Sequence, residues 1–214
     1  VQFHDQDPFP LTSGTSYEEE KLHSGLVDSW LGFDIAKIEA GLAPAPDHQE
    51  RWEKKGNGVF STPYSELRRI LQEISPKAGD LVVDLGAGYG RMAFVLEAHF
   101  PGVKFLGLEL APERVSEGQR VMAAKGLKNS QLLCADLLVA TPPTAEFYFL
   151  YDYGTRAAIE KTLVDLRGLA KTQKIVLVGR GRAVRDAVER AHPWLGAVVE
   201  PQHSAHYSIY RSRE

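Results

Sequence analysis

The residues best suited to chemistry lie in one ten-residue run, Val82-Val83-Asp84-Leu85-Gly86-Ala87-Gly88-Tyr89-Gly90-Arg91, where an apolar stretch enters a glycine-rich turn. Glycines there let the backbone take positive φ and approach a ligand closely, and a helix that follows offers N–H groups with no partner in the helix. Alone, this pattern is weak. It gains specificity from Glu109, 23 residues after Gly86 and at the end of the next apolar run, where a carboxylate can accept both hydroxyls of a ribose. The pair points to a nucleoside-containing ligand. The dinucleotide fingerprint Gly-x-Gly-x-x-Gly would need its third glycine where Arg91 stands, and no Gly-Lys-Ser/Thr follows to make a P-loop. Asp84, two residues before Gly86, would be poorly placed beside a pyrophosphate. It is well placed beside a cation such as an ammonium or a sulfonium.

Such residues need strand ends to hold them. From Gly79 onward, short apolar runs alternate with amphipathic ones, the pattern of an α/β fold whose parallel sheet is covered on both faces. Strands are predicted at Leu81–Leu85, Lys104–Leu108, Gln131–Ala135, Phe147–Tyr151 and Lys174–Val178, with Ala197–Val199 and Tyr207–Tyr210 as an antiparallel pair closing the edge. Helices are predicted at Arg91–Phe100, Pro112–Lys125, Thr155–Ala170 and Ala183–His192, where apolar residues recur every three or four positions. The first 78 residues lack this alternation. There Glu18–Ala40 carries Leu22, Leu26, Val27, Trp30, Leu31 and Ile38 at helical spacing. Pro44 and Pro46 break the chain, Asp47–Lys55 reads as a short charged helix, and Gly56-Asn57-Gly58 as a hinge. Thr62 and Pro63 read as N-cap and first residue of a helix over Tyr64–Ile74. The expected division is a helical appendage over 1–78 and a ligand-binding domain over 79–214.

On these residues the chain resembles the class I, seven-strand, Rossmann-like S-adenosylmethionine-dependent methyltransferases. Val82 to Arg91 matches their first motif and Glu109 their acidic ribose ligand. The resemblance covers about residues 60 to 212. It continues at Cys134-Ala135-Asp136, where an acid after the third strand accepts the adenine amino group, and at Phe149-Leu150-Tyr151-Asp152-Tyr153-Gly154, where substrate-facing residues lie. It implies a mostly parallel seven-stranded sheet, methyl transfer, S-adenosylmethionine as cofactor and S-adenosylhomocysteine as product. More loosely, Phe60 to Leu67 resembles the Thr-Pro opening of seven-strand protein lysine methyltransferases, including those acting on histone H3 and on the ATP-synthase c subunit. In those the segment covers the methionine half of the cofactor. The fourth-strand motif departs from the histone group, reading Tyr-Asp-Tyr-Gly where that group is rich in asparagine.

The implied cofactor-binding residues are Asp84, Gly86, Ala87, Gly88, Gly90, Glu109, Leu110, Asp136, Tyr151 and Thr62, with residues 1–78 as lid and substrate segment. Methyl transfer asks chiefly for alignment, exclusion of water and an unprotonated nucleophile. Asp152 could take a proton or hold an amine, Tyr151 and Tyr153 could cage a cation, and Tyr64 is a lid residue, so Asp152, Tyr153 and Tyr64 are the candidate catalytic residues. A protein lysine amine is the expected acceptor; a small molecule, an RNA, or cofactor binding without catalysis are the alternatives. No Asn/Asp-Pro-Pro-Tyr/Phe motif for base amines follows the fourth strand. Methylation at a base carbon would need a nucleophilic cysteine, and Cys134 is expected inside a buried strand.

Composition sets the outer bounds. The 214 residues suit one domain with an appendage. With 25 basic and 28 acidic residues the net charge is −3, no global footprint for nucleic acid. Charge is uneven: residues 151 to 214 hold 11 basic and 7 acidic residues, net +4, leaving −7 for the rest. Arg180, Arg182, Arg185 and Arg190 cluster there, with a solvated helix face as their expected role and an anionic partner as the alternative. A single cysteine excludes an intrachain disulfide and fits a reducing cytoplasm. No apolar run reaches the length of a membrane-spanning helix. No metal site is expected: His203 and His206 are too isolated, and Trp30, Trp52 and Trp194 are read as packing residues.

Overall fold

The computed structural model describes residues 4–42, 61–153 and 155–212. An interior strand, β1 (Leu81–Leu85), is apolar but for Asp84 and buried from its second residue onward, as expected for a strand flanked and covered on every side. Around it stand β2 (Lys104–Glu109), β3 (Ser130–Cys134), β4 (Phe147–Tyr151), β5 (Val176–Arg180), β6 (Gln202–His203) and β7 (Tyr207–Arg211). The sheet order is β3-β2-β1-β4-β5-β7-β6. The first five strands pair in parallel, and β7 runs antiparallel to both β5 and β6. This is the mostly parallel seven-stranded sheet that the sequence pattern implies.

Side chains alternate between the two faces of the strands. Val82, Phe149 and Val178 join a core with helices α3 (Tyr64–Ile74), α4 (Arg91–His99) and α5 (Pro112–Ala124). Val83, Leu85 and Leu150 join another with α6 (Arg156–Leu169) and α7 (Arg182–Ala191). Two helix starts follow directly from their residues. Pro112 opens α5 at a position where a missing N–H costs nothing, and the Thr155 side chain accepts from the Ala158 N–H at the start of α6.

Four expectations are corrected. The single helix over Glu18–Ala40 is two, α1 (Tyr17–Leu31) and α2 (Ile35–Gly41), because Gly32 takes φ 92° and ends the first. At α3 the N-cap position belongs to Pro63, and no side chain caps the helix, Thr62 included. The run Ala197–Val199 is not a strand; the strand that pairs with β7 is Gln202–His203. Cys134 is exposed, because β3 is the outermost strand and pairs only with β2. The predicted charged helix at 47–55, the hinge at 56–58 and Trp52 lie outside the described residues.

The N-terminal helices are tied to the body along α5. Lys125 Nζ donates to the Trp30 carbonyl (3.2 Å), Arg120 Nη2 to the Gly32 carbonyl (2.5 Å), and the Asp34 N–H to Glu117 Oε1 (2.7 Å). Nearest the start of α5, Arg114 grips Glu39 of α2 with two hydrogen bonds of 2.8 and 2.9 Å. Phe9, Val27 and Leu31 complete the packing within the same core as α3 and α4. No helix among the described residues is long and apolar enough to cross a membrane.

Candidate active site

The turn after β1 is stitched to β2 before any ligand is considered. The N–H groups of Gly86 and Ala87 both donate to the Leu108 carbonyl, at 2.9 and 3.0 Å. Gly90, at φ 72°, starts α4, and a side chain there would collide with Met122. Beside Gly88, by contrast, a Cβ would meet nothing within 4 Å. Its N–H donates to Glu109 Oε2 at 2.9 Å, while Glu109 Oε1 accepts from the Ala111 N–H at 3.1 Å. Each oxygen keeps a lone pair, so the carboxylate is fixed in orientation yet able to accept a ribose diol. Arg114 Nη1 stands 3.6 Å from it.

Asp84 lies two residues earlier, and its Oδ1 is buried without a hydrogen-bond partner. Burial, reinforced by the nearby charge of Glu109, raises its carboxyl from 3.8 to about 7. An orphaned carboxylate oxygen calls for a cation or a donor. Together with the space beside Gly88 and the fixed Glu109, this fits S-adenosylmethionine: a diol at one end, a positive charge at the other. Among the described residues no group of acids, histidines or cysteines could hold a metal ion.

The other candidates fall into three groups. At the start of α3, Tyr64 is fully buried and its hydroxyl donates to Asp28 Oδ1 at 2.8 Å. Arg91 forks onto the same Asp28 through Nε (3.0 Å) and Nη2, and its Nη1 reaches the Thr62 carbonyl at 3.4 Å. Burial drives the Tyr64 hydroxyl well above the ordinary range, so it stays protonated. The residue that stands in place of a third glycine therefore locks α1 and α3 to the turn. On the outer side, Leu110 is half exposed, and Asp136 accepts from the Leu138 N–H at 2.9 Å, holding its own turn.

At the end of β4 the three neighbours part. Asp152 accepts from the N–H groups of Ala183 (3.2 Å) and Val184 (3.1 Å), so both its oxygens face the start of α7 rather than the glycine turn. Tyr153 packs its side chain against Gly86 and shares a 2.5 Å hydrogen bond with Thr162, and burial pushes its phenol to about 12. Tyr151 lies against Arg180, whose guanidinium is 5.1 Å from its ring. The arginine cluster after β5 thereby dissolves: Arg180 is partly buried and paired with Glu66, Arg185 bonds the Ser208 hydroxyl, and Arg182 and Arg190 face solvent. The structure gathers Asp84, Gly86, Ala87, Gly88, Gly90 and Glu109 at one edge, with Thr62, Tyr64 and Tyr151 on the face of α3. It also adds Glu66, Tyr17 and Glu39, which the sequence does not single out, and takes Arg180 out of its expected cluster into a 2.7 Å ion pair with Glu66.

Comparison with known proteins agrees with this geometry. A family described as putative methyltransferase matches residues 78–147. A demethylmenaquinone methyltransferase of Thermus thermophilus is 28% identical over 156 residues, 67% of this chain and 69% of its own length. Sphingolipid C9-methyltransferase A of Emericella nidulans is 31% identical over 85 residues, 39% of this chain, but the match spans only 16% of that protein. An RNA methyltransferase of Salinibacter ruber, solved with S-adenosylhomocysteine, superposes with a TM-score of 0.52 at 21% identity, over 71% of this chain and 91% of its own.

Proposed function

We propose, from the premise that this chain is a class I S-adenosylmethionine-dependent methyltransferase, that its acceptor is a small organic molecule received between the carboxyl ends of β4 and β5 and the N-terminal helices. The observation that carries the cofactor assignment is Glu109, fixed by Gly88 and Ala111 beside the unpartnered Asp84. Bound S-adenosylmethionine supplies a methyl carbon made electrophilic by its sulfonium. The chain supplies the rest: Glu109 orients the ribose, Asp84 faces the cationic end, and Thr62 and Tyr64 exclude water from the start of α3. In this reading residues 1–78 are lid and acceptor segment for residues 79–214.

Two features favour a small acceptor over a lysine side chain. The cationic cage expected around Asp152 lacks its parts, since that carboxylate is committed to α7 and the Tyr151 ring already faces Arg180. The relative matched over two thirds of its length is named as a demethylmenaquinone methyltransferase, and a shorter match is named as a sphingolipid C9-methyltransferase. A protein lysine is the second reading, favoured by the Thr62-Pro63 opening that Arg91 holds over the turn. The lone cysteine fits work in a reducing cytoplasm.

Thermal unfolding tests the premise. S-adenosylhomocysteine at about 100 times its dissociation constant should raise the midpoint by about 5 to 11 °C, and Glu109→Ala should abolish the shift; a shift with NADH alone would overturn it. Radiolabelled methyl transfer into the small-molecule, protein and RNA fractions of an extract then tests the acceptor. Label only in protein would replace the proposal with the lysine reading, and binding without transfer to any fraction would mark a non-catalytic cofactor-binding protein.

A further inference from the structure

A surface helix ordinarily turns its apolar side to the core and its polar side to water. Helix α1 does bury Val27 and Leu31, but beside them it buries Glu20, Ser24 and Asp28. Those polar groups are satisfied from within. Glu20 accepts from Arg69 Nη2 at 2.6 Å, Ser24 Oγ accepts from the Tyr64 N–H at 3.2 Å, and Asp28 takes the Tyr64 hydroxyl and Arg91. At the start of the helix the Tyr17 hydroxyl accepts from Arg180 Nη2 at 2.5 Å. The large apolar side chains point the other way: Leu22, Leu26 and Trp30 are 74%, 53% and 39% exposed. Spaced by four, they form one ridge along the helix. Beside the ridge lie Gly25 and Ser29, both exposed, and a Cβ at Gly25 would meet nothing within 4 Å. Charge is divided along the same face. Glu18 and Glu19 are exposed at its start, and at its end the exposed Lys125 holds Nζ 4.3 Å from the Trp30 ring, with Arg120, which pairs with Glu117, on the Gly32 carbonyl.

A face that is acidic at one end, apolar in the middle and basic at the other is its own complement when turned end for end. We propose that this face of α1 is the contact surface of a symmetric homodimer, in which the α1 helices of two copies lie antiparallel about a two-fold axis at Leu26. Leu26 then meets Leu26 of the second copy, and the Leu22 end of each ridge meets the Trp30 end of the other. The ridges enter the shallow grooves at Gly25 and Ser29. Glu18 and Glu19 of each copy face Lys125 of the other. A two-fold contact uses the same patch on both copies, so the patch has to complement itself. Apolar burial supplies the affinity, while the charged ends set the direction, since exposed ion pairs are individually weak. A parallel pairing would set like charges together at both ends, and an anionic bilayer would be repelled by the acidic end.

Sedimentation equilibrium tests the contact. The mass of the unaltered chain should rise with concentration toward that of two chains. Leu26→Glu sets two like charges against each other at the axis and should weaken association by about tenfold or more. Val164→Glu, at a similarly exposed apolar residue of α6, should leave association unchanged. Both positions are exposed, so circular dichroism should show both variants folded. Cross-linking reads the direction of pairing in a Cys134→Ser background, which removes the exposed native thiol. On mild oxidation, copies carrying Leu22→Cys should join copies carrying Ser29→Cys faster than either joins its own kind. A chain that stays monomeric at every concentration, a dimer that Leu26→Glu leaves intact, or a Leu22→Cys variant that cross-links fastest with itself overturns the proposal. Binding of a monomeric chain to vesicles of anionic phospholipid, lost in Leu26→Glu, would overturn it in favour of a lipid surface.

Discussion

A carboxylate buried in β1 with one oxygen unsatisfied holds its proton longer than an exposed one. Unfolded, Asp84 loses its proton near 3.8; folded, near 7. Between those values the folded chain binds more protons than the unfolded one, so the stabilisation is complete below about pH 4 and is lost as pH rises toward 7. A shift of about three units corresponds to roughly 4 kcal/mol. Urea midpoints at about pH 4.5 and 7.5 should therefore show a fall with pH that Asp84→Asn reduces by that amount; an unchanged fall in the variant would assign it to other groups. A cation placed against Asp84 favours the charged form, so ligand binding near pH 6 should release up to one proton. Calorimetry in two buffers of different ionisation enthalpy reads that release directly.

Among the elements, α7 and α2 make the sharpest claims. Asp152 caps α7, so Asp152→Ala should cost about 0.5 to 2 kcal/mol of stability while Asp152→Asn keeps most of it. Neither should slow transfer per folded molecule; a large loss of rate in the asparagine variant would restore a catalytic role. No residue of α2 is buried, and Glu39 joins it to both Arg114 and the Tyr89 hydroxyl. Glu39→Ala should raise amide hydrogen exchange across Ile35–Gly41 and leave β1 protected. The same elements show what the sequence could reveal. β4 was legible to the residue because its unbroken apolar run sits between Glu146 and Asp152, and β1 because its apolar residues, interrupted only by Asp84, stop at the glycine turn. β5 was placed two residues early because Gly179 looks like a stop, whereas it lies inside the strand, where a Cβ would press within 2.7 Å of Val184. That displacement set Arg180 among the arginines after the strand, whereas the strand itself carries it to the edge of the sheet. Asp84 and Glu109 were legible because motif and spacing are local; Glu39 and Arg114 lie 75 residues apart, and no local pattern joins them.

At the scale of the molecule, the N-terminal residues share a core with the sheet. Phe9 is 3% exposed and packs 5.2 Å from the Tyr64 ring. Phe9→Ala should lower overall stability by about 3 to 5 kcal/mol, with fluorescence and circular dichroism still tracing one coincident transition. Two separated transitions would show that the first 78 residues fold on their own. The ties between α1 and the body also impose an order on synthesis. The chain emerges from its amino end, so α1 is made first, yet its partners follow late: Arg91 is 63 residues beyond Asp28, Lys125 is 95 beyond Trp30, and Arg180 is 163 beyond Tyr17. At roughly 5 to 20 residues per second, Tyr17 waits about 8 to 30 seconds for Arg180 to be made. A nascent chain holds the Gly88–Glu109 pair well before β5 exists, so on the ribosome the nucleoside side of the site is finished first and the opposite side closes last.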